Sequence, residues 1–238
     1  MPSRTGQRGR AVPENSNGQI LDRFDTLPHI EDCLSMTLRE WMLWHNVMHR
    51  HFSRYRGRKV LKPPFDWIVL GDIIQDTRPE VIIEIGSFDG GSALWMADLL
   101  DAMDSPTRII GVDVIDRPTA VQHHRLHWVI GDARAPETIA RVDELTEARK
   151  GMVIEDSDHK EHVTLALLEE YSQFVAPGCY FIVEDTIVEA LQIPPFPGPL
   201  NAVRDFVARL GGEFVIDRAR EKFIMTNNPM GYLLRATD

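Results

Sequence analysis

The segment 81-VIIEIGSFDGGS-92 places a short run of mostly β-branched apolar residues directly before a glycine-rich loop. A run of this length and composition predicts a buried strand, and an apolar helical pattern follows it at about residues 91–102. Glycine allows a chain to turn tightly and to approach a ligand closely. The segment therefore predicts a strand–loop–helix unit whose loop is a candidate ligand contact.

The same alternation of strands and helices continues along the chain. Further short apolar runs predict strands at Ile109–Val112, Trp128–Ile130, Met152–Ile154 and Tyr180–Val183. Helical patterns at about 135–147, 160–175 and 199–210 separate most of them, and such alternation indicates right-handed crossovers and a mostly parallel sheet. Near the end, Glu213–Ile216 and Lys222–Thr226 flank a polar turn. The predicted fold class is α/β, a Rossmann-like doubly wound, mostly parallel sheet with a C-terminal antiparallel hairpin.

Three parts of the chain differ in composition. Residues 1–18 are rich in Gly, Ser, Asn, Pro and Arg, and their small apolar surface predicts a disordered tail. Residues 19–76 are an N-terminal helical segment, because apolar residues recur at helical spacing from Leu34 to Phe52 and again from about Phe65 to Gln75. Residues 77–238 carry the alternating strands and form the main α/β domain.

Charge and cysteine content narrow the classes of partner. The chain has 36 acidic and 26 basic side chains and a formal net charge of −10, which would repel a phosphate backbone, so we expect no nucleic-acid partner. The longest apolar runs are shorter than the ~20 residues of a membrane span, so we expect no membrane partner. With Cys33 and Cys179 as its only cysteines and no signal-peptide pattern, the chain is expected to be a reduced, cytoplasmic protein.

Polar residues at the first three strand ends predict a cofactor site, because ligands of doubly wound sheets bind at the carboxyl ends of strands. Asp113 ends the second strand, where a carboxylate can accept bonds from two ribose hydroxyls, and Asp132 follows the third, where an adenine amino group is commonly met. The alternative for Asp113 is a turn or capping carboxylate. The loop differs from G-x-G-x-x-G and lacks a Walker lysine, and its acidity suits a sulfonium better than a pyrophosphate. We therefore predict S-adenosylmethionine as cofactor. The candidate contacts are Glu84, Gly86, Ser87, Asp89, Ser92, Asp113 and Asp132.

Acidic residues at the next two strand ends predict a metal site. The fourth strand runs into 155-EDSDH-159, and the fifth runs into Glu184 and Asp185. Two such clusters at neighbouring strand ends repel one another unless they are protonated or bridged by a cation. Carboxylate oxygens suit Mg²⁺, which could bind a substrate oxygen, lower its pKa and orient it. The alternative is that these side chains only cap the following helices.

Several segments resemble the cephalosporin hydroxylase / rhamnosyl O-methyltransferase family over about residues 55–234. They are Tyr55-Arg56-Gly57, Leu61-Lys62-x-Pro64, Ile83-Glu84-Ile85-Gly86 with Gly90-Gly91-Ser92, Asp156-Ser157-Asp158-His159 with His162-Val163, Val183-Glu184-Asp185, and Thr226-x-x-Pro229-x-Gly231-Tyr232-Leu233. The resemblance implies S-adenosylmethionine and Mg²⁺ binding on a Rossmann-like fold, often with methylation of sugar hydroxyls in natural products. It also implies that residues 77–238 form a methyltransferase domain.

The resemblance also implies roles for individual residues. By position, the metal ligands would be Asp156, Glu184 and Asp185, and the base that accepts the substrate proton would be His159 or Asp158. Glu155 stands where the family is expected to carry an apolar residue, so either Glu155 or Asp156 faces the metal; we favour Asp156.

The sequence thus predicts a Mg-dependent O-methyltransferase that moves a methyl group from S-adenosylmethionine to a hydroxyl of a small molecule, a sugar or a glycosylated natural product. The amphipathic N-terminal helix suggests a homo-oligomer. The alternative is a hydroxylase or oxygenase of a secondary metabolite. A non-haem iron site needs two histidines and one carboxylate. His159 and His162 are available for it, but the strand ends offer carboxylates instead. A non-catalytic partner protein is disfavoured because the acidic motifs are intact.

Overall fold

The computed structural model describes residues 30–194 and 196–237 of the chain. The disordered tail predicted over residues 1–18 lies outside the described residues. No helix within the described ranges is long and apolar enough to cross a membrane.

From Ile30 onward, the described part of the N-terminal segment contains three helices and two short strands. Its elements are α1 (Ile30–Cys33), α2 (Leu38–Phe52), the two-residue strands β1 (Arg54–Tyr55) and β2 (Arg58–Lys59), and α3 (Pro64–Thr77). Helix α2 begins at Leu38, later than the Leu34 predicted, because Thr37 and Glu40 form a capping box: the Glu40 carboxylate accepts from Thr37 N at 2.7 Å and Thr37 Oγ1 accepts from Glu40 N at 3.2 Å. Strands β1 and β2 pair with each other as a small antiparallel hairpin.

The main domain is built on a seven-stranded sheet. Its strands are β3 (Val81–Ile85), β4 (Arg108–Asp113), β5 (Leu126–Ile130), β6 (Met152–Glu155), β7 (Tyr180–Val183), β8 (Phe214–Ile216) and β9 (Tyr232–Arg235). The helices between them are α4 (Gly91–Ala102), α5 (Pro136–Thr146), α6 (Glu161–Tyr171), α7 (Ile187–Leu191) and α8 (Pro199–Arg209). The strand order is β5-β4-β3-β6-β7-β9-β8. The pairs from β5 to β7 are parallel and β9 is antiparallel to both of its neighbours, so the predicted fold class is confirmed.

The second strand of the C-terminal hairpin was placed wrongly by the sequence. Residues 222–226 form no strand; Tyr232–Arg235 pairs with β8 and also inserts beside β7. The chain after β8 turns into a 3-10 helix (Arg218–Glu221), where the Asp217 side chain accepts a hydrogen bond from Ala219 N at 3.0 Å. Residues 222–226 and Tyr232–Arg235 are both partly apolar, but only Tyr232–Arg235 lies between β7 and β8 and pairs with both.

Both faces of the sheet are covered, which explains why its central strands read as continuous apolar runs. In β3, Ile83 belongs to the core cluster that includes residues of α5, α6 and α8. Its neighbour Ile82 belongs to the cluster on the other face, with residues of α3 and α4. The strand order reverses between β3 and β6, and a doubly wound sheet opens a crevice at the carboxyl ends of such strands. The glycine-rich loop after β3 and the acidic loop after β6 therefore meet at this crevice.

Candidate functional site

A cavity of about 470 Å³ lies at the carboxyl ends of β3, β4, β5 and β6. Most of the predicted site residues line it: Gly86, Ser87, Ser92, Asp113, Asp132, Asp156, Asp158, His159 and Asp185. The other three predicted residues, Glu84, Asp89 and Glu184, are not among the residues that line it. The structure thus brings the predicted cofactor end and the predicted metal end into one cavity.

Gly86 lets the loop after β3 pass directly against the loop after β6. Its φ is +88°, a conformation that side chains disfavour. A Cβ at this position would lie 2.1 Å from the carbonyl oxygen of Asp156. Only glycine therefore fits the place where the two halves of the cavity touch.

Asp113 anchors this loop from the neighbouring strand. Its Oδ2 accepts a hydrogen bond from Phe88 N at 2.7 Å, and its Oδ1 accepts one from Ile115 N at 2.8 Å. This is the turn carboxylate considered from the sequence, yet the residue also lines the cavity. Since a carboxylate oxygen has two lone-pair sites, these contacts leave acceptor capacity for a ligand hydroxyl.

Two other acidic residues of the predicted cofactor end have basic partners. Asp132 is held by Arg134, with Nη2 at 2.7 Å from Oδ2, and the hydrogen bonds from Arg134 lower the pKa of Asp132. Asp89 is not among the residues that line the cavity; it accepts a hydrogen bond from Lys59 N at 2.8 Å and lies 3.6 Å from Arg58. The structure therefore gives Asp89 the role of tying β2 to the glycine-rich loop.

At the other end of the cavity, Asp156, His159 and Asp185 converge. Nε2 of His159 lies 3.4 Å from Oδ2 of Asp185 and 3.9 Å from Oδ1 of Asp156. One ligand atom from each of the three residues lies within 4.8 Å of the others, an arrangement able to hold a metal ion. His159 and Asp185 both have positive φ, +58° and +55°. Such strained backbone is often found at functional sites.

Glu184, the third predicted metal ligand, lies beside this group but faces a different partner. It is buried, and its Oε1 lies 2.8 Å from Nζ of Lys62. Burial raises the pKa of Glu184 well above its ordinary value, although Lys62 opposes the shift. The structure therefore does not place the Glu184 carboxylate in the group formed by Asp156, His159 and Asp185.

Lys62 is the site residue that sequence reasoning missed. Its Nζ lies 2.9 Å from Oδ2 of Asp156, 2.8 Å from Oε1 of Glu184 and 3.7 Å from Oε1 of Glu84. Burial by itself lowers the pKa of Lys62, but the carboxylates outweigh burial and hold this pKa well above its ordinary value. The sequence held two signals: paired acidic strand ends require a cation, and Lys62 stands in the Leu61-Lys62-x-Pro64 segment of the family resemblance. Its position before the sheet gave no sign that its ammonium reaches the strand ends.

The structure separates Glu155 from Asp156. The Glu155 side chain is fully buried and accepts hydrogen bonds from Ser157 N at 3.1 Å and from Thr164 Oγ1 at 3.1 Å. Burial raises the pKa of Glu155. Asp156, in contrast, lines the cavity. The arrangement favours Asp156 as the residue that faces a ligand and gives Glu155 the role of fixing the loop to α6.

The two candidate bases also differ in their surroundings. Asp158 is paired with Lys160, whose Nζ lies 2.7 Å from its Oδ2. Burial raises the pKa of Asp158, but the hydrogen bonds and the charge of Lys160 together outweigh burial and hold this pKa below its usual range. His159 instead points at Asp185 and Asp156. An aspartate with a lowered pKa and a lysine partner is a poor proton acceptor, so the geometry favours His159.

A hydrogen-bond network that joins α3 to residues 226–228 holds Asp185 in place. Asp66, in α3, accepts hydrogen bonds from Thr226 Oγ1 at 2.5 Å and from Asn227 N at 2.8 Å. Asn227 Nδ2 donates to Oδ1 of Asp185 at 3.0 Å, and Asn228 Oδ1 accepts from Asp185 N at 3.0 Å. Burial raises the pKa of Asp66 to about 6. This network was also missed, because it joins residues far apart in sequence.

The site does not assemble the iron-binding pattern of the alternative function. His162, the second histidine required, is exposed on α6 and is not among the residues that line the cavity. His159 is the histidine that lies in the cavity lining, and its partners are carboxylates.

The chain is similar in sequence to mycobacterial methyltransferases. The rhamnosyl O-methyltransferase of Mycobacterium leprae (strain TN) is 28% identical over 211 residues, covering 86% of this chain and 91% of the relative. The rhamnosyl O-methyltransferase of Mycobacterium tuberculosis (strain ATCC 25618 / H37Rv) is 26% identical over 212 residues, covering 86% of each chain.

Solved structures share the fold. A structure of CmcI with Mg and SAM superposes with a TM-score of 0.63 at 20% identity, covering 100% of this chain and 90% of that one. A structure of CmcI with SAH superposes with a TM-score of 0.60 at 22% identity, covering 78% and 83%. The family model described as rhamnosyl O-methyltransferase/CmcI matches residues 47–236. The chain therefore belongs to the rhamnosyl O-methyltransferase/CmcI family.

Proposed function

We propose that the protein is a Mg-dependent O-methyltransferase that transfers the methyl group of S-adenosylmethionine to a hydroxyl of a small molecule. The observation that carries this proposal is the single cavity in which the glycine-rich loop after β3 adjoins Asp156, His159 and Asp185. A methyl transfer needs donor and acceptor oxygen side by side, and the two ends of the cavity provide adjacent places for them. The family membership supports the same reaction.

The cofactor would lie along the ends of β3, β4 and β5. Gly86 and Ser87 would allow close approach of the backbone, Asp113 would accept bonds from ribose hydroxyls, and Asp132 would lie near the adenine. All four residues line the cavity. The carboxylates at the metal end favour a cofactor with a positively charged sulfonium.

The donor set at the other end fits a magnesium ion. Mg²⁺ prefers hard oxygen ligands and keeps several waters, so that one or two carboxylates suffice to hold it. Asp156 and Asp185 would bind it, with Glu184 as a third ligand. When bound, the ion would supply a positive charge that lowers the pKa of the acceptor hydroxyl and orients it.

His159 would act as the base. As the acceptor oxygen attacks the methyl carbon, the bond from that carbon to sulfur breaks and its electron pair stays on sulfur. The hydroxyl proton would pass to Nε2 of His159, and the Asp185 carboxylate, 3.4 Å from this nitrogen, would stabilise the imidazolium that forms. The product is the methyl ether together with S-adenosylhomocysteine.

The acceptor is a sugar hydroxyl, free or on a glycosylated natural product. The support for it is that the mycobacterial relatives are rhamnosyl O-methyltransferases. A homo-oligomeric assembly through the N-terminal helix and a cytoplasmic location belong to the same proposal.

The experiment is a transfer assay with methyl-labelled S-adenosylmethionine, Mg²⁺ and a panel of rhamnosylated and other glycosylated acceptors. The proposal expects labelled methyl ether in at least one reaction and none with the Asp113→Asn variant at low cofactor concentration. Mass spectrometry of the product separates the alternative: a product that has gained an oxygen atom instead of a methyl group would establish a hydroxylase.

A further inference from the structure

A buried ammonium occupies the space between the two acidic strand ends. Lys62 has a side-chain exposure of 2%, and its Nζ bonds Asp156 at 2.9 Å and Glu184 at 2.8 Å. Without a cation between them, the carboxylates of Asp156 and Glu184 would repel each other. Lys62 is therefore the cation that lets Asp156 and Glu184 remain side by side when no metal is bound.

A third carboxylate lies within reach of the same ammonium. Glu84 is fully buried at the end of β3, and its Oε1 lies 3.7 Å from Nζ of Lys62. The hydroxyls of Ser92 and Ser87 also act on the Glu84 carboxylate, but among the described residues none of its contacts has the short, well-aligned geometry of the bonds from Lys62 to Asp156 and Glu184. Lysine carries three donors on a flexible stem. Glu84 is thus a second, less occupied place for the Lys62 ammonium.

We propose that Lys62 is a positioning residue that competes with the divalent ion for Asp156 and Glu184, and that its ammonium moves toward Glu84 when the ion binds. The inference rests on the metal site of the proposed function. It explains how Glu184 can be predicted as a metal ligand from its position and yet face Lys62 here: the Glu184 carboxylate becomes available to the ion only when the ammonium leaves it.

The charges of the site predict how removal of the Lys62 ammonium changes the affinity for a metal ion. The cluster of Lys62, Glu84, Asp156 and Glu184 places three carboxyl groups around one ammonium, so it has more oxygen ligands than the ammonium can engage and can still bind a divalent ion. The ammonium and the ion repel each other at such short range, and this repulsion weakens metal binding. Removing the ammonium charge should therefore tighten metal binding, whereas removing a purely structural lysine should weaken it.

The first test is calorimetric titration of the full-length protein with Mn²⁺ alone, without cofactor or acceptor. We expect Lys62→Met to bind Mn²⁺ at least about tenfold more tightly than the unaltered protein. The matched control Lys62→Arg keeps the charge and should show no such gain. Unchanged or weaker Mn²⁺ binding by a folded Lys62→Met protein would overturn the proposal.

A double-mutant cycle tests the movement toward Glu84. With Lys62 present, Glu84→Gln removes the carboxylate that receives the ammonium and should weaken Mn²⁺ binding. In the Lys62→Met background the same change should have a smaller effect, because no ammonium has to move. Equal effects in both backgrounds would refute the movement. The double variant also carries one buried carboxylate fewer, which helps it to fold.

The unaltered protein gives an independent readout, which does not depend on the folding of any variant. In a crystal structure with bound Mn²⁺, we expect Nζ of Lys62 within hydrogen-bonding distance of Glu84 and released from Glu184. An ammonium that keeps both Asp156 and Glu184 with the ion in place would contradict the proposal. None of these measurements uses methyl transfer. If Lys62→Met binds Mn²⁺ more tightly but the protein methylates no acceptor, only the proposed function is refuted. If the enzyme is active but Lys62→Met has unchanged Mn²⁺ affinity, only this inference is refuted.

Discussion

Nε2 of His159 lies 3.4 Å from Oδ2 of Asp185, and both residues have positive φ. The loop after β6 and the loop after β7 thus each adopt a strained conformation that turns one polar side chain toward the other. The Asp185 carboxylate would stabilise the protonated imidazole, as the proposed role of His159 as the base requires. The same carboxylate is a candidate metal ligand, so the proposed base and the proposed ion share one residue.

His159→Ala should lower kcat about 10²–10⁴-fold, the usual cost of a lost general base. Binding of S-adenosylmethionine should barely change, because Gly86 and Asp113 are untouched. The acid limb of the pH–rate profile should vanish. Asp158→Asn is the control, since Asp158 is paired with Lys160, and it should keep most activity. An active His159→Ala enzyme beside an inactive Asp158→Asn enzyme would assign the base to Asp158.

Asp156→Asn should weaken Mn²⁺ binding and abolish most turnover while leaving the fold intact, because it removes one charge from an acidic cluster. Glu155→Gln is the matched neighbour: Glu155 bonds Ser157 and Thr164, so this change should lower stability and leave Mn²⁺ affinity nearly unchanged. Calorimetric titration and thermal unfolding of the two variants measure both effects. The reverse pattern would show that Glu155 faces the metal.

Gly86→Ala should abolish the rise in Tm that S-adenosylmethionine produces by binding the folded state. The added Cβ would meet the Asp156 carbonyl at 2.1 Å and force the loop out of the cavity. Gly57→Ala is a matched control, because Gly57 also has positive φ, +82°, but nothing lies within 4 Å of its Cβ. It should lose about 1 kcal/mol of stability through backbone strain and keep cofactor binding. Equal cofactor responses in the two variants would contradict the close approach of the loops.

Asp66 should make the free energy of unfolding depend on pH. Its pKa is raised from 3.8 to about 6 in the folded protein, with burial as the main cause. A carboxyl with a raised folded pKa contributes stability that is fully present below pH 3.8 and is lost as the pH rises through about 6. Over this window the contribution should fall by on the order of 2–3 kcal/mol.

The measurement is urea unfolding of the unaltered protein and of Asp66→Asn across this pH window. The difference in free energy of unfolding between them should decrease as the pH rises and level off above it. A difference that does not vary with pH would refute the assignment. Because Asn227 joins this network to Asp185, we also expect weaker Mn²⁺ binding by Asp66→Asn.

The sequence predicted the parts of the site that follow from strand ends. Gly86, Asp113, Asp156, His159 and Asp185 lie where their strands stop, and parallel strands bring their carboxyl ends to one edge of a sheet. Their position along the chain was therefore enough to bring them together.

Side-chain direction and long-range contacts were beyond the sequence. Neighbouring residues of an extended chain point to opposite sides, so the sequence favoured Asp156 over Glu155 without showing which of the two faces the cavity; the structure places Glu155 against α6. Lys62 precedes the first strand of the main sheet in the sequence, and no periodic pattern shows which carboxylates its ammonium contacts. The bond from Asn227 to Asp66 spans 161 positions, and the choice of Tyr232–Arg235 as the last strand depends on the gap beside β7.

The central claim is methyl transfer that depends on an ion held by Asp156 and Asp185 beside the cofactor. The most direct measurement is the rate of label transfer from S-adenosylmethionine to an acceptor identified by the glycoside panel, after EDTA treatment and again after Mg²⁺ is added back. The account predicts that EDTA removes nearly all activity, that Mg²⁺ restores it in the unaltered enzyme, and that Asp156→Asn is not restored at the same concentration. Full activity in excess EDTA would contradict it.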